Sequence, residues 1–198
     1  MNFMAMLYPL LAVLIWAMNA VVSKMSAGII EPEAISFYRW LLALIILTPF
    51  CLKQSIQNWA EIRTLLPKFA ILGLLGMGLY QCLTYYAAHT ISATMLGIFL
   101  SLVPLLTILL SFFFLRTPLT LGLVLGSALS FAGIAWLISE GNPSVLLEQG
   151  IGTGELMMII ASFAYALYGV FAMKWNIKVS VWQSLYWQIF FGVLILLP

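Results

Sequence analysis

Seven long apolar stretches follow one another along the 198-residue chain, each separated from the next by a short polar break. A helix needs about 20 mostly apolar residues to cross ~30 Å of hydrocarbon, and each stretch is about that long. Lipid offers no partner to an unpaired backbone group, so each stretch is predicted to be helical. The sequence therefore predicts an all-α integral membrane protein, a polytopic helical bundle, with helices at about 5–25, 34–52, 69–88, 91–114, 119–138, 154–173 and 180–198.

The composition agrees with a lipid-embedded chain and removes several classes of function. Hydrophobic residues make up 64% of the chain and charged residues 7%, whereas a soluble domain carries roughly 25% charged residues. There is no Asp, one His, and two Cys in no pairing pattern, so no metal site, cofactor or disulfide is predicted. The basic residues are scattered between the apolar stretches, which predicts no nucleic-acid partner.

The polar breaks predict the loops and, through their charges, the orientation of the chain. We expect a polar loop over 53–68, tight turns at 89–90 and 116–118, and an outer loop over 141–153. Basic residues are enriched in cytoplasmic loops. With the N-terminus in the cytoplasm, six of the eight basic residues lie on the inner side: Lys53, Arg63, Lys68, Arg116, Lys174 and Lys178. The prediction is a multi-pass protein of the cell inner membrane with a cytoplasmic N-terminus.

A weak internal repeat relates the two ends of the chain. Residues 7–49 reappear as 156–198 at an offset of 149, with identities at Leu7, Ala12, Ala17, Val21, Ile46 and Pro49. An odd number of predicted spans separates the copies, so the second would be inverted, as in many transporters. We expect a first five-helix repeat over 1–140, the outer loop, and the start of an inverted second repeat over 154–198. The half-built second repeat predicts that the chain is a fragment.

Arg39 is the strongest candidate for a functional residue. It lies inside the second predicted helix, where a charged side chain costs at least ~2.5–3.5 kcal/mol. One interpretation is that it reaches the outer surface or pairs with Glu31 or Glu33. The other is that it is a fixed positive charge lining a solute pathway.

The first helix carries one aromatic and polar face that includes Trp16 and Asn19. Asn19 could line a pathway or form a hydrogen bond between helices, and the sequence favours neither. Lys24, at the outer end, is predicted to be a boundary anchor.

Further pathway candidates follow from polar positions in later spans and from the repeat. Gln81 and Ser101 are polar positions in the third and fourth helices, and Pro104 predicts a kink in the fourth. In the second copy, the positions that correspond to Trp16, Asn19 and Arg39 are Tyr165, Tyr168 and Gln188. An aromatic cavity of this kind would suit an amphipathic organic solute.

Two groups of glycines predict close helix packing rather than chemistry. Gly122 and Gly126 form a GxxxG pattern that Ser130 and Gly133 extend. The glycines of the third helix are interpreted in the same way: Gly73, Gly76 and Gly78.

The chain resembles the EamA-type branch of the drug/metabolite transporter superfamily. The motifs that carry the resemblance are Trp16 to Asn19 with Lys24, Ser36 to Trp40, Ala87-Ala88, Leu100 to Leu105, Leu125 to Ile134, and Tyr165 to Tyr168. The resemblance implies ten helices in two inverted five-helix repeats that move small organic solutes, often outward, with Trp16, Asn19 and Arg39 near the central cavity. Thr117 stands where the family usually has a Glu after its fourth helix.

The sequence therefore predicts an exporter of small organic metabolites, amino acids or drugs that works by alternating access. Its predicted partners are a small-molecule substrate and membrane lipid, and the oligomeric state is left open. A channel-like or structural membrane protein is the alternative. An intramembrane enzyme is disfavoured, since aspartyl chemistry has no Asp and an HExxH zinc site would need a second His.

Overall fold

The computed structural model describes residues 3–118, 120–139, 141–142 and 151–197. In those ranges it contains seven helices and no strand, which confirms an all-α polytopic membrane fold. The helices are α1 (Phe3–Ser26), α2 (Pro32–Gln57), α3 (Trp59–Thr90), α4 (Ala93–Leu115), α5 (Leu121–Ile138), α6 (Thr153–Trp175) and α7 (Val181–Ile195).

Five of these helices are long and apolar enough to cross a membrane: α1, α2, α3, α4 and α6. Helices α5 and α7 are apolar but shorter, with 18 and 15 residues. The chain is therefore a multi-pass membrane protein, and membrane crossing by α5 and α7 stays a prediction.

The predicted polar loop over 53–68 is wrong, because this segment is helical apart from a one-residue turn at Asn58. Its Lys, Gln, Glu and Arg residues have high helix propensity, so polarity alone does not end a helix. Burial of Ile62 and Phe69, both 0% exposed, fixes the start of α3 against the bundle. Helices α2 and α3 thus extend beyond the apolar stretches that predicted them.

The other predicted breaks differ less from the structure. The turn expected at His89 and Thr90 lies just after them, where Ser92 begins α4 by accepting a hydrogen bond from Met95 N at 3.1 Å. Arg116 ends α4 in a left-handed conformation with φ 55°, which confirms the predicted break there. Much of the predicted outer loop, 143–150, lies outside the described residues.

Two helices are irregular near their middles. In α3, residues Gly73–Leu79 form a π-helical segment between two α-helical parts. In α4, the helix is interrupted at Ser101, whose N–H donates to Ile98 O at 3.1 Å instead of to the carbonyl four residues back. Pro104 follows by three residues, and a proline removes one helical hydrogen bond and clashes with the carbonyl four residues before it. The predicted disturbance of this helix is confirmed.

Helix α6 lies at the centre of the described bundle, packed against α3 and α4, while α7 packs on α2 and the π-helical segment. Gly73 and Gly192 make that second contact close: a Cβ on Gly73 would lie 2.5 Å from the Gln188 carbonyl oxygen. A Cβ on Gly76 would lie 2.9 Å from the Tyr168 ring. Close packing is thus confirmed at Gly73 and Gly76.

The GxxxG pattern of α5 gives the opposite result. Around Gly122, Gly126 and Gly133, no described atom lies within 4 Å of where a Cβ would stand. The predicted close packing of these glycines is therefore not observed against the described part of the chain.

Candidate functional site

A cavity of about 640 Å³ lies between α1, α2, α3, α4 and α6. Its wall combines apolar, aromatic and a few polar side chains, and Arg39 is the one formally charged residue among the described residues that line it. The lining residues are Ile15, Trp16, Asn19, Arg39, Trp40, Gly76, Met77, Tyr80, Gln81, Leu100, Val103, Pro104, Thr107, Ile108, Tyr165 and Tyr168.

Arg39 is held by side chains from two other helices. Its Nη1 donates to Asn19 Oδ1 of α1 at 3.1 Å and to the hydroxyl of Tyr85 of α3, which is buried. The guanidinium carbon also lies 5.8 Å from the Tyr85 ring centroid and 6.0 Å from that of Trp40, within the range of cation–π attraction. Among the described residues, no carboxylate forms an ion pair with Arg39, so the predicted pairing with Glu31 or Glu33 is not observed.

Three tyrosines form an aromatic part of the cavity wall. The rings of Tyr165 and Tyr168, both on α6, stack with centroids 5.4 Å apart and an interplanar angle of 14°. Tyr80 of α3 lies against Tyr165 with centroids 4.5 Å apart. Gly76 allows this arrangement, because any larger residue would collide with the Tyr168 ring.

The π-helical segment lines part of the cavity and forms a hydrogen bond with Trp40. The indole Nε1 of Trp40 donates to Met77 O at 3.1 Å, which satisfies a carbonyl inside the segment. One turn further along, Gln81 is 4% exposed and its Nε2 has no hydrogen-bond partner within the described structure. A buried amide donor without a partner is costly, so it is a position where a ligand or water would gain a hydrogen bond.

Six of the eight sequence-predicted pathway residues lie on this one wall: Trp16, Asn19, Arg39, Gln81, Tyr165 and Tyr168. The other two do not line it. Ser101 is exposed at the α4 interruption and donates to Ile98 O at 2.6 Å. Gln188 is buried on α7 and donates to Ser184 Oγ at 2.9 Å. Lys24, the predicted anchor, donates to Ala88 O at 2.7 Å near the C-terminus of α3, where carbonyls lack helical partners.

Four residues of the site were not predicted from the sequence: Trp40, Tyr80 and Thr107, which line the cavity, and Tyr85, which binds Arg39. Trp40 and Tyr80 are neighbours of Arg39 and Gln81, so a search of adjacent aromatic residues could have found them. Thr107 follows Val103 at helical spacing on α4 and gave no signal beyond its polarity. The described residues contain no group of three or more His, Cys, Asp or Glu side chains that could hold a metal ion.

Comparison with known proteins relates the chain to membrane transporters. The model of the EamA-like transporter family matches residues 3–139. The chain belongs to this family. Within the EamA-like family it is similar to the uncharacterized transporter YyaM of Bacillus subtilis (strain 168), with 24% identity over 153 residues, 77% of this chain and 50% of the relative.

Two further relatives are similar to the chain over most of its length. An uncharacterized transporter of Archaeoglobus fulgidus is 27% identical over 161 residues, which is 81% of this chain and 54% of the relative. Protein PecM of Dickeya dadantii (strain 3937) is 29% identical over 134 residues, 65% of this chain and 42% of the relative. The chain spans about half the length of the relatives it matches. No solved structure matches it significantly.

Proposed function

We propose that this EamA-like chain binds the solute in a carrier that exports small organic solutes by alternating access. The cavity between α1, α2, α3, α4 and α6 is the proposed solute site. Arg39, Asn19 and Trp16 contact the solute from one side, and Tyr165 and Tyr168 from the other. Family membership and the names of the relatives support transport rather than catalysis.

One observation carries this proposal: the cavity wall is shared between the two proposed repeats. Helices α1 to α4 belong to the proposed first repeat, 1–140, and α6 begins the proposed inverted second repeat, 154–198. A solute bound at the contact of two repeats can be exposed to either side when one repeat rocks against the other. A wall built from a single rigid repeat would not open in this way.

The charges support a cytoplasmic N-terminus in the inner membrane. Five basic residues near helix ends are exposed: Lys53, Arg63, Arg116, Lys174 and Lys178. When successive helices cross the membrane in alternate directions, these five residues lie on the same side. A membrane-impermeant maleimide applied to intact cells should label Ile29→Cys and leave Lys178→Cys unlabelled, in a background without the native cysteines. The reverse pattern would contradict this orientation.

Export can be tested without knowing the solute. Cells producing the wild-type protein, Arg39→Ala or Arg63→Ala are compared by mass spectrometry of the culture medium. Arg63 is exposed on α3 and does not line the cavity, so it is a matched control for the loss of a positive charge. We expect one or a few small organic solutes to accumulate outside with the wild type and Arg63→Ala, and to fall toward background with Arg39→Ala.

Two results would contradict the proposal: an unchanged medium with the wild type, or equal accumulation with Arg39→Ala. A channel-like protein is distinguished by the dependence of efflux on internal solute concentration. A carrier saturates because each cycle moves a bound solute, whereas a channel-like path shows a linear rise.

A further inference from the structure

We propose that the cavity is selective for a planar aromatic organic anion, with a carboxylate at Arg39 and a ring against the tyrosines of α6. The inference rests on the proposed function, because it names the class of solute that the same cavity binds. Three separate features of the wall lead to it: its charge, its unused hydrogen-bond donors and its aromatic faces.

The charge of the wall is positive and is not neutralised by any described residue. Arg39 is the one charged residue in the part of the wall that the structure describes, and its partners, Asn19 and Tyr85, are neutral. Arg39 is exposed, and its uncompensated charge attracts an ion of the opposite sign and repels one of the same sign. A bound anion would therefore complete a charge pair that the protein leaves open.

The donors that remain free have the geometry that a carboxylate needs. Both protein hydrogen bonds of Arg39 use Nη1, so Nη2 and Nε have no hydrogen-bond partner among the described residues. A guanidinium edge of this kind can bind a carboxylate through two parallel hydrogen bonds. The anchoring of Nη1 holds the guanidinium in place, so less side-chain entropy is lost when the anion binds.

A second donor lies deeper in the same cavity. Gln81 lines the wall, is 4% exposed, and has an Nε2 without a partner in the described part of the chain. The Nε2 atom is enclosed by protein, so an acceptor atom on the ligand reaches this amide only when the Gln81 side chain rotates toward the cavity. Most of the described lining surface is apolar, so a sugar or polyol would lose more hydrogen bonds to water than it could regain.

The aromatic wall favours a flat ligand body. Tyr165 and Tyr168 stack at 5.4 Å and Tyr80 lies 4.5 Å from Tyr165, both within the range of aromatic pairing. Trp16 and Trp40 supply two further aromatic side chains. A planar ring can join this set by stacking, while a saturated ring of similar size has only its hydrophobic surface to offer.

Four small probes separate charge from ring character. Phenylacetate is the aromatic anion, 2-phenylethanol its neutral counterpart, phenethylamine its cationic counterpart, and cyclohexylacetate the saturated anion. Binding of each to the purified protein in lipid nanodiscs is measured by isothermal titration calorimetry. We expect phenylacetate to bind about tenfold more tightly than the neutral and cationic probes. We expect it to bind about threefold more tightly than cyclohexylacetate.

Variants assign each preference to its residue. Arg39→Gln should reduce phenylacetate binding to the level of 2-phenylethanol, whereas Arg63→Gln, outside the cavity, should leave it unchanged. Tyr165→Leu should bring phenylacetate and cyclohexylacetate to equal affinity. Tyr8→Leu, an exposed tyrosine on α1, is the matched control. Arg39→Lys keeps the charge but loses the paired donors, so it should retain the preference for anions with weaker affinity.

Equal or tighter binding of the neutral, cationic or saturated probe would overturn the inference, as would failure of all four probes to bind. If Arg39→Gln does not fold, the wild-type probe series and Arg39→Lys decide the question. The proposed function fails separately, when no solute is exported. Arg39-dependent export without the expected probe selectivity would overturn the solute class alone and leave the carrier proposal intact.

Discussion

At the scale of single residues, Arg39 shows what a sequence can and cannot predict about a charge inside a membrane span. Its position alone predicted either a boundary residue or a pathway residue. The choice depends on which side chains surround it, and these come from α1 and α3, 20 and 46 positions away. Asn19 was recognisable as an unusual polar residue on α1. Tyr85 was not, since tyrosines are common in membrane helices for structural reasons.

The hydroxyl of Tyr85 should stabilise the fold because it accepts a hydrogen bond from a charged group in a buried position. Tyr85→Phe removes that acceptor and should reduce the free energy of unfolding by about 1–2 kcal/mol. The neighbouring Tyr86→Phe is the control, because Tyr86 is 38% exposed and outside the cavity wall. Thermal unfolding in nanodiscs measures both. Equal stabilities for the two variants would contradict this role of Tyr85.

At the scale of elements, apolar length predicted which segments are helices but not where they begin and end. Residues 53–68 continue as helix because their polar side chains are compatible with it and Ile62 and Phe69 are buried. The π-helical segment Gly73–Leu79 has no signal in a pattern based on 3.6 residues per turn. Tyr80 and Gln81 follow this segment directly and both line the cavity, while only Gln81 was predicted.

The glycines of the π-helical segment should be far more sensitive to substitution than those of α5. Gly73→Ala would set a methyl group 2.5 Å from the backbone oxygen of Gln188, which cannot move aside as a side chain could. We expect a loss of about 1–3 kcal/mol in the free energy of unfolding. Gly122→Ala has open space around it and should be neutral or slightly stabilising. Thermal unfolding of the pair tests this, and similar losses in both would contradict the packing described for α3 and α7.

At the scale of the whole molecule, the sequence predicted the class of fold and six residues of the cavity wall, but not the arrangement of helices that forms the cavity. Trp16 and Tyr165 were linked by the internal repeat, and both line the cavity. The same repeat linked Arg39 to Gln188, which instead lies on α7 against the π-helical segment. A sequence repeat identifies equivalent positions, whereas a cavity depends on which helices meet. Helix α6 packs on α3 and α4 beside the cavity, whereas α7 packs on α2 and α3 and contributes none of the described lining residues.

Two cysteines on one helix test whether a solute cavity lies among the helices embedded in lipid. Thr107 and Leu109 are two residues apart on α4; Thr107 lines the cavity, and Leu109 is 44% exposed on the outer apolar surface. Each is replaced by Cys after Cys51→Ala and Cys82→Ala, and reaction with a water-soluble anionic thiosulfonate is followed in native membranes. We expect rapid labelling of the cysteine at position 107 and little labelling of the cysteine at position 109. Equal labelling of the two, or faster labelling at 109, would contradict it.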